Sequence, residues 1–192
     1  MKVFIASLVV GVMITMVPQP AQALESLTKF RANGQGAAAE WFTGTEEDFT
    51  DTFVATDQTK DGTFVFVGRC SGNLLTEEVT CMSGETTVAN SMFTVDRRLN
   101  TASLAATTVT LWDFDYLTSE EVTVAVDWTA TSPLQRGRTN VHWMSGEFME
   151  NYHDQTQWRD ASASGTWNEA DLGDSSWGQI IKYRLADMIL VH

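Results

Sequence analysis

The sequence predicts an all-β protein: an antiparallel β-sandwich of the jelly-roll or immunoglobulin-like type, or a closed β-barrel, with about ten strands. Short segments alternate apolar and polar residues with the period of two that is typical of strands. Turn residues separate these segments at intervals of about 8 to 15 residues, as in small β-proteins. No segment shows the pattern of an amphipathic helix.

The clearest alternation lies between Thr101 and Thr131 and predicts a central antiparallel hairpin. One apolar row consists of Val122, Val124, Val126 and Trp128, and a second of Trp112, Phe114 and Tyr116. Pairing residues whose numbers sum to 238 would place both rows on one buried face, with a turn at residues 117–121.

Several other segments are consistent with strands, and Lys60-Asp61-Gly62 predicts a tight hairpin turn. The final segment, from Gln179 to His192, is predicted as weakly helical or extended. The predicted strands cover residues 36–42, 51–56, 62–70, 87–95, 141–152 and 155–168.

The first 23 residues have the features of a secretory signal peptide. An apolar run from Val3 to Val17 follows Lys2, and Ala21-Gln22-Ala23 provides a small-residue cleavage pattern. The run is shorter than the roughly 20 residues of a membrane-spanning helix, so no membrane insertion of the mature chain is expected. We expect a single domain from residue 24 to 192, secreted or periplasmic.

The chain is strongly acidic, with 12 Lys+Arg against 25 Asp+Glu and a net charge of −13. Removal of Lys2 with the signal peptide leaves 11 cations and a net charge of −14. Such a surface repels nucleic acid and anionic lipid, so neither is expected as a partner.

The two cysteines, Cys70 and Cys81, predict a structural disulfide, because an even pair close in sequence is typical of exported proteins. Closing their loop should contribute about 2 to 3 kcal/mol by restricting the unfolded chain.

Three motifs give the chain a resemblance to secreted bacterial β-rich proteins without an established activity. The first contains Ala102, Leu104, Ala106 and Thr107; the second runs from Val126 to Arg136; the third includes Trp158-Arg159, Ala161 and Ala163 to Thr166. The resemblance implies export and β architecture, and no site residue.

The segment from His142 to Asp154 is the best candidate metal site. It places His142, His153 and Asp154 on adjoining strand segments, and two imidazoles with a carboxylate are a common ligand set for a divalent cation. Ordinary surface histidines are the alternative interpretation. No other cofactor is suggested.

Four tryptophans in polar segments are candidates for ligand binding: Trp143, Trp158, Trp167 and Trp177. Flat aromatic side chains beside Asp, Asn and Gln are suited to stacking against sugar rings, whereas packing in an aromatic-rich core is the simpler interpretation.

Together these observations favour an exported, non-catalytic binding or surface-associated protein, with a glycan or an extracellular protein as partner. A metal-binding protein or metal-dependent hydrolase centred on His142 and His153 is the first alternative. A structural subunit of an extracellular assembly is the second.

Overall fold

A computed structural model describes residues 26–145 and 148–191, with side-chain surroundings for residues 28–145 and 149–188. The predicted signal peptide, residues 1–23, lies outside the described residues. The all-β prediction is confirmed: the described residues form eleven antiparallel strands and one short 3-10 turn, Asn90–Met92, with no α-helix.

The strands follow one another along the chain with short connections. Their bounds are β1 Ser26–Gly44, β2 Phe49–Thr59, β3 Gly62–Asn73, β4 Glu78–Val88, β5 Phe93–Val95, β6 Thr101–Asp113, β7 Ser119–Ala130, β8 Gln135–Ser145, β9 Phe148–Trp167, β10 Ala170–Asp174 and β11 Trp177–Val191.

Of the two predicted architectures, the strand pairing matches a closed barrel. The order β9-β11-β1-β2-β3-β4-β6-β7 returns to β9, which gives a ring of eight strands. The narrowest seam joins β4 to β6 through two residue pairs, Met82 with Asp113 and Ser83 with Trp112. A side chain at Gly84 would collide with the main chain of Thr110, so glycine permits this close approach.

Strands β8 and β10 are not part of this order, and each lies in line with a strand of the ring. β8 follows β7 along the same side of β9, and β11 follows β10 along the other side. β9 is therefore continuous over twenty residues, whereas each of its neighbours is divided into two strands, β7 and β8 on one side and β10 and β11 on the other. The topology is an up-and-down meander of eight long members, in which each member pairs with the next along the chain.

The barrel interior is filled by apolar side chains rather than left as a cavity. Trp128, only 1% exposed, stands edge-on to Phe93 with ring centroids 6.2 Å apart, and its Nε1 donates to Ala38 O. Trp41 is 2% exposed and its Nε1 donates to Gly173 O. Both indoles therefore bury their rings and satisfy their only donor.

Four strands continue beyond the barrel and form a separate part of the sheet, which we call the extension. It consists of β8, residues 148–158 of β9, residues 181–191 of β11 and residues 26–34 of β1. In this segment β1 has left β2, because their pairing begins only at Gln35 with Gln58. At about 3.3 Å per residue the extension projects roughly 30 Å.

The predicted register of the central hairpin is wrong, although the buried row of β7 is confirmed. Residue numbers near the turn sum to 231, so Trp112 pairs with Ser119 instead of Val126. Asp113 caps the turn by accepting hydrogen bonds from Leu117 N, Thr118 N and Thr118 Oγ1. Phe114 and Tyr116 consequently lie in the turn, 77% and 74% exposed.

Other local predictions have mixed outcomes. The hairpin turn at Lys60-Asp61 is confirmed, and so is the disulfide, because Cys70 and Cys81 are direct partners on β3 and β4. The C-terminal segment is a strand paired on both sides, which rules out the helical alternative for its described residues.

Candidate functional site

The extension sorts its side chains by chemistry onto two faces. Because side chains alternate along a strand and direct partners share a face, the registers assign every residue to one face or the other. The face that continues the barrel interior is here called the basic face. It carries Lys29, Arg31, Asn33 and Gln35 on β1, Lys182 and Arg184 on β11, Asn151, His153, Gln155 and Gln157 on β9, and Arg136, Arg138, Asn140 and His142 on β8.

The opposite face, here called the aromatic face, continues the outer wall of the barrel. Its large apolar residues are Phe30, Val141, Trp143, Tyr152, Trp158, Tyr183 and Leu185, and its carboxylates are Glu150, Asp154 and Asp187. Among the described side chains, all carboxylates of the extension lie on this face and all lysines and arginines lie on the other.

Six of the twelve lysines and arginines of the chain therefore share one exposed face in a protein of net charge −13. None of the six has a carboxylate oxygen within 4.0 Å in the described part of the chain, where the ion pair found is Lys60 with Asp61. Their charges are left to solvent or to a ligand.

The cations follow a regular pattern across the strands. Lys182, Gln157 and Arg136 form one row over β11, β9 and β8. The next row, Arg184, Gln155 and Arg138, repeats the same order two residues further along each strand. Two cation-glutamine-cation rows thus lie about 7 Å apart along the strands, with the cations of each row about 10 Å apart.

Two asparagine-histidine pairs lie beside these rows and join β8 to β9. His153 Nδ1 lies 2.7 Å from Asn140 Oδ1, and His142 Nδ1 lies 2.5 Å from Asn151 Oδ1. An amide oxygen can only accept, so in this arrangement each Nδ1 carries the hydrogen. Each Nε2 is then the ring nitrogen left for other partners.

A groove of about 460 Å³ lies where the basic face meets the barrel. Amides and cations form most of its lining: Asn33, Gln35, Gln58, Gln155, Gln157, Lys182 and Arg184. Its floor is a hydrogen-bonded plug, since Gln58 Nε2 donates to Thr63 Oγ1, Asn90 O and Phe93 O, and Gln58 Oε1 accepts from Gln35 Nε2. The groove is therefore a surface site, closed off from the apolar interior.

Tyr183 fixes the base of the extension to the barrel from the aromatic face. Its hydroxyl donates to Asp57, 2.8 Å from Oδ1 and 2.9 Å from Oδ2. A side chain at Gly34 would collide with the tyrosine ring, so glycine there leaves room for it. Burial, and then the hydrogen bond to Asp57, raises the pKa of Tyr183, which keeps the phenol protonated and donating.

Acidic groups also cluster on the aromatic face. Burial raises the pKa of Tyr152, and the negative charges of Asp154 and Asp187 raise it further. The two faces of one sheet thus differ in the sign of their charge as well as in their aromatic content.

The four predicted ligand-binding tryptophans are not brought together. Trp167 is a core residue, 6% exposed, with the Arg69 guanidinium 4.8 Å from its ring centroid. Trp143 and Trp177 are 49% and 44% exposed on the outer side of the sheet, but the register separates them by about 40 Å along the strands. Trp158 is half-buried between them.

The three predicted metal ligands are also divided. His142 and His153 share the basic face, whereas Asp154 lies on the aromatic face because it directly follows His153 in β9. Asp154 Oδ1 accepts a hydrogen bond from Thr156 Oγ1. The described residues contain no group of three or more His, Cys, Asp or Glu side chains arranged to hold a metal ion.

Sequence reasoning missed the basic face. Its signal was present as alternation in residues 135–145 and 182–184, where Arg136, Arg138 and Lys182 are each followed two residues later by another polar residue. Only the register shows that these alternations fall on the same side of adjoining strands.

Comparisons with known proteins add no family to this geometry. Protein-family models, curated proteins and solved structures all gave no match to the chain. Within the described ranges, no helix is long and apolar enough to cross a membrane.

Proposed function

We propose that the protein is an exported, non-catalytic binding module that holds an acidic glycan on the basic face of its extension. The observation that carries this proposal is the complete sorting of charge on the extension, with six exposed cations and no carboxylate among the described side chains of one face. The disulfide between Cys70 and Cys81 is compatible with an oxidising compartment.

The row pattern suits a polymer with repeated negative charge. Arg136 and Arg138 offer planar guanidinium groups, which form paired hydrogen bonds with carboxylate or sulfate. Lys182 and Arg184 repeat positive charge on the far side of β9. A chain of uronic acid or sulfated sugar units lying along the strands would meet a cation from either side at each step.

The amides between the cations favour a hydroxyl-rich ligand. Gln155 and Gln157 each provide a donor and an acceptor, as sugar hydroxyls do. They lie between the cations, and the groove at the barrel end extends the same lining. A glycan can therefore satisfy the amides and the cations together.

A nucleic acid fits this face less well. Single-stranded nucleic acids are held by aromatic side chains that stack on the bases, and the described part of the basic face contains no Phe, Tyr or Trp.

The test is binding of the mature protein to polygalacturonate, dextran sulfate and neutral dextran, measured by calorimetry at low and high salt. We expect binding to the acidic polymers that weakens with salt, and no binding to dextran. Replacing one row, Arg138→Gln with Arg184→Gln, should weaken binding about tenfold or more, because it removes two charge-assisted contacts.

The matched control is Lys60→Gln with Arg97→Gln, which removes the same charge from two exposed residues outside the basic face. This control should retain near-native affinity. No binding to either acidic polymer would contradict the proposal, as would equal losses in both double variants. If the protein binds neutral dextran and Trp143→Ala abolishes this binding, the glycan site lies on the aromatic face instead.

A further inference from the structure

The unpaired edge of β8 suggests a second interaction of this protein. This inference is independent of the proposed glycan binding. β8 pairs with β9 along its whole length of 11 residues and with no other strand among those described. Every second residue of such an edge presents its N–H and C=O outward, ready to pair with another strand.

The outer part of this edge lacks the usual protection against pairing. Residues 139–145 contain no charge, no proline and no glycine. Val141, Trp143 and Met144 are 43%, 49% and 68% exposed. Proteins normally guard such edges with charged side chains, prolines or bulges, so an unguarded edge is consistent with a strand that is covered in the assembled protein.

We propose that the β8 edge pairs with β8 of a second copy of this chain, antiparallel and about a two-fold axis at Asn140. Full overlap of Gln135–Ser145 with itself pairs residues whose numbers sum to 280. Each arginine then faces a neutral or imidazole side chain, since Arg136 meets Met144 and Arg138 meets His142. On the other face Trp143 meets Gly137, beside the indole of Trp158, which lies over Gly137 in the same copy.

The other free edge of the extension lacks this self-complementarity. Full overlap of residues 26–34 of β1 with themselves pairs residues whose numbers sum to 60, which places Lys29 opposite Arg31. Like charges directly across a strand pair are destabilising. The charge pattern therefore selects β8 over β1 as the edge for a two-fold dimer.

The dimer would contain one continuous sheet of eight strands in its extension. A two-fold axis perpendicular to the sheet keeps both basic faces on one side and both aromatic faces on the other. The eleven paired residues would form about eleven main-chain hydrogen bonds between the copies.

The first experiment is sedimentation of the mature protein, without any glycan, over a wide concentration range. We expect a monomer-dimer equilibrium. Asn140→Lys should give monomers, because it places two lysines together at the two-fold axis. The control is Gln155→Lys, which adds the same charge to the same face on the interior strand β9 and should still dimerise. Monomers at every concentration, open-ended polymers or a dimer unaffected by Asn140→Lys would each overturn the proposal.

A second experiment tests the register independently of these variants. Asn140→Cys should form a disulfide-linked dimer under mild oxidation, because position 140 faces itself across the axis and the native cysteines are already bridged. Arg138→Cys should not, since its copies would lie four residues apart, about 13 Å. Cross-linking by Arg138→Cys but not by Asn140→Cys would overturn the proposed register.

Discussion

The barrel and the extension use the same strands and the same side of the sheet for opposite purposes. On β9 the inward positions are Ala161, Ala163 and Trp167 within the barrel and His153, Gln155 and Gln157 beyond it. On β1 the change is from Ala37, Ala39 and Trp41 to Lys29, Arg31 and Asn33. The change occurs where the ring of strands opens, since β1 leaves β2 and β9 exchanges β7 for β8.

The difference shows that the inward face of a strand needs apolar residues only where the sheet closes into a ring. Strand formation alone does not require them. Inside the ring, opposing strands shield one another, so the face is dry and apolar side chains stabilise the fold. Beyond the ring the same face has no opposing layer, and polar side chains there remain hydrated at little cost. We expect substitutions inside the ring to affect stability and those on the basic face to affect binding.

The largest expected effect comes from a matched pair of tryptophans. Trp128→Ala should lower the free energy of unfolding by about 3–5 kcal/mol, because it leaves a cavity in the core and removes the donor from Ala38 O. Trp158→Ala, on the half-buried aromatic face, should cost clearly less. Urea denaturation of both variants checks this, and equal losses would remove the distinction between barrel and extension.

A smaller effect is expected where the two regions are joined. Tyr183→Phe removes the hydroxyl that donates to Asp57 and leaves a half-buried carboxylate without that donor. The loss should be about 1.5–3 kcal/mol, typical of a hydrogen bond to a charged group. Hydrogen exchange should show faster exchange at the base of the extension than in the barrel core, and a uniform change in both would argue against a local clamp.

The smallest effect concerns Glu40 and Asp51, on the outer wall of the barrel. Burial raises the pKa of both carboxyl groups, and the charge of Asp51 raises that of Glu40 further. A raised folded-state pKa stabilises the fold while the group is protonated, and this stabilisation is lost as the pH rises through the raised value.

Glu40→Gln should therefore stabilise the protein at neutral pH, because it removes a carboxyl group whose ionised form is disfavoured by burial and by the charge of Asp51. The advantage should fade as the pH falls towards the normal range of glutamate, about 4.3, where the wild-type carboxyl is itself protonated. Thermal unfolding at several pH values checks both parts. An advantage that stays constant with pH would show that charge is not its cause.

The sequence was sufficient for the fold class and for β7, but not for the register of the central hairpin. The regular alternation of Val122, Val124 and Val126 identifies a buried row correctly. In β6 a bulge between Leu104 and Thr107 shifts the inward side from even to odd positions. Leu111 therefore points inward and Trp112 outward, which alternation alone does not reveal.

The candidate site was less predictable for a related reason. From the sequence we selected individual tryptophans and histidines, because these residue types are common in binding sites. The basic face instead consists of common polar and charged residues from four strands. Arg31 and Arg138, for example, are 107 positions apart in the sequence and share a face only through the paired registers of β1, β11, β9 and β8. Long-range pairing of this kind cannot be read from local patterns.

The uninterrupted course of β9 also has a mechanical consequence. Antiparallel hydrogen bonds lie perpendicular to their strands, so tension along β9 strains its whole ladder in shear, with many bonds resisting at once. A pulling force applied to the extension, far from the barrel, would be transmitted directly into the ring of strands through β9. The molecule is thus built to withstand lengthwise traction better than sideways peeling of β8, whose bonds would open one after another.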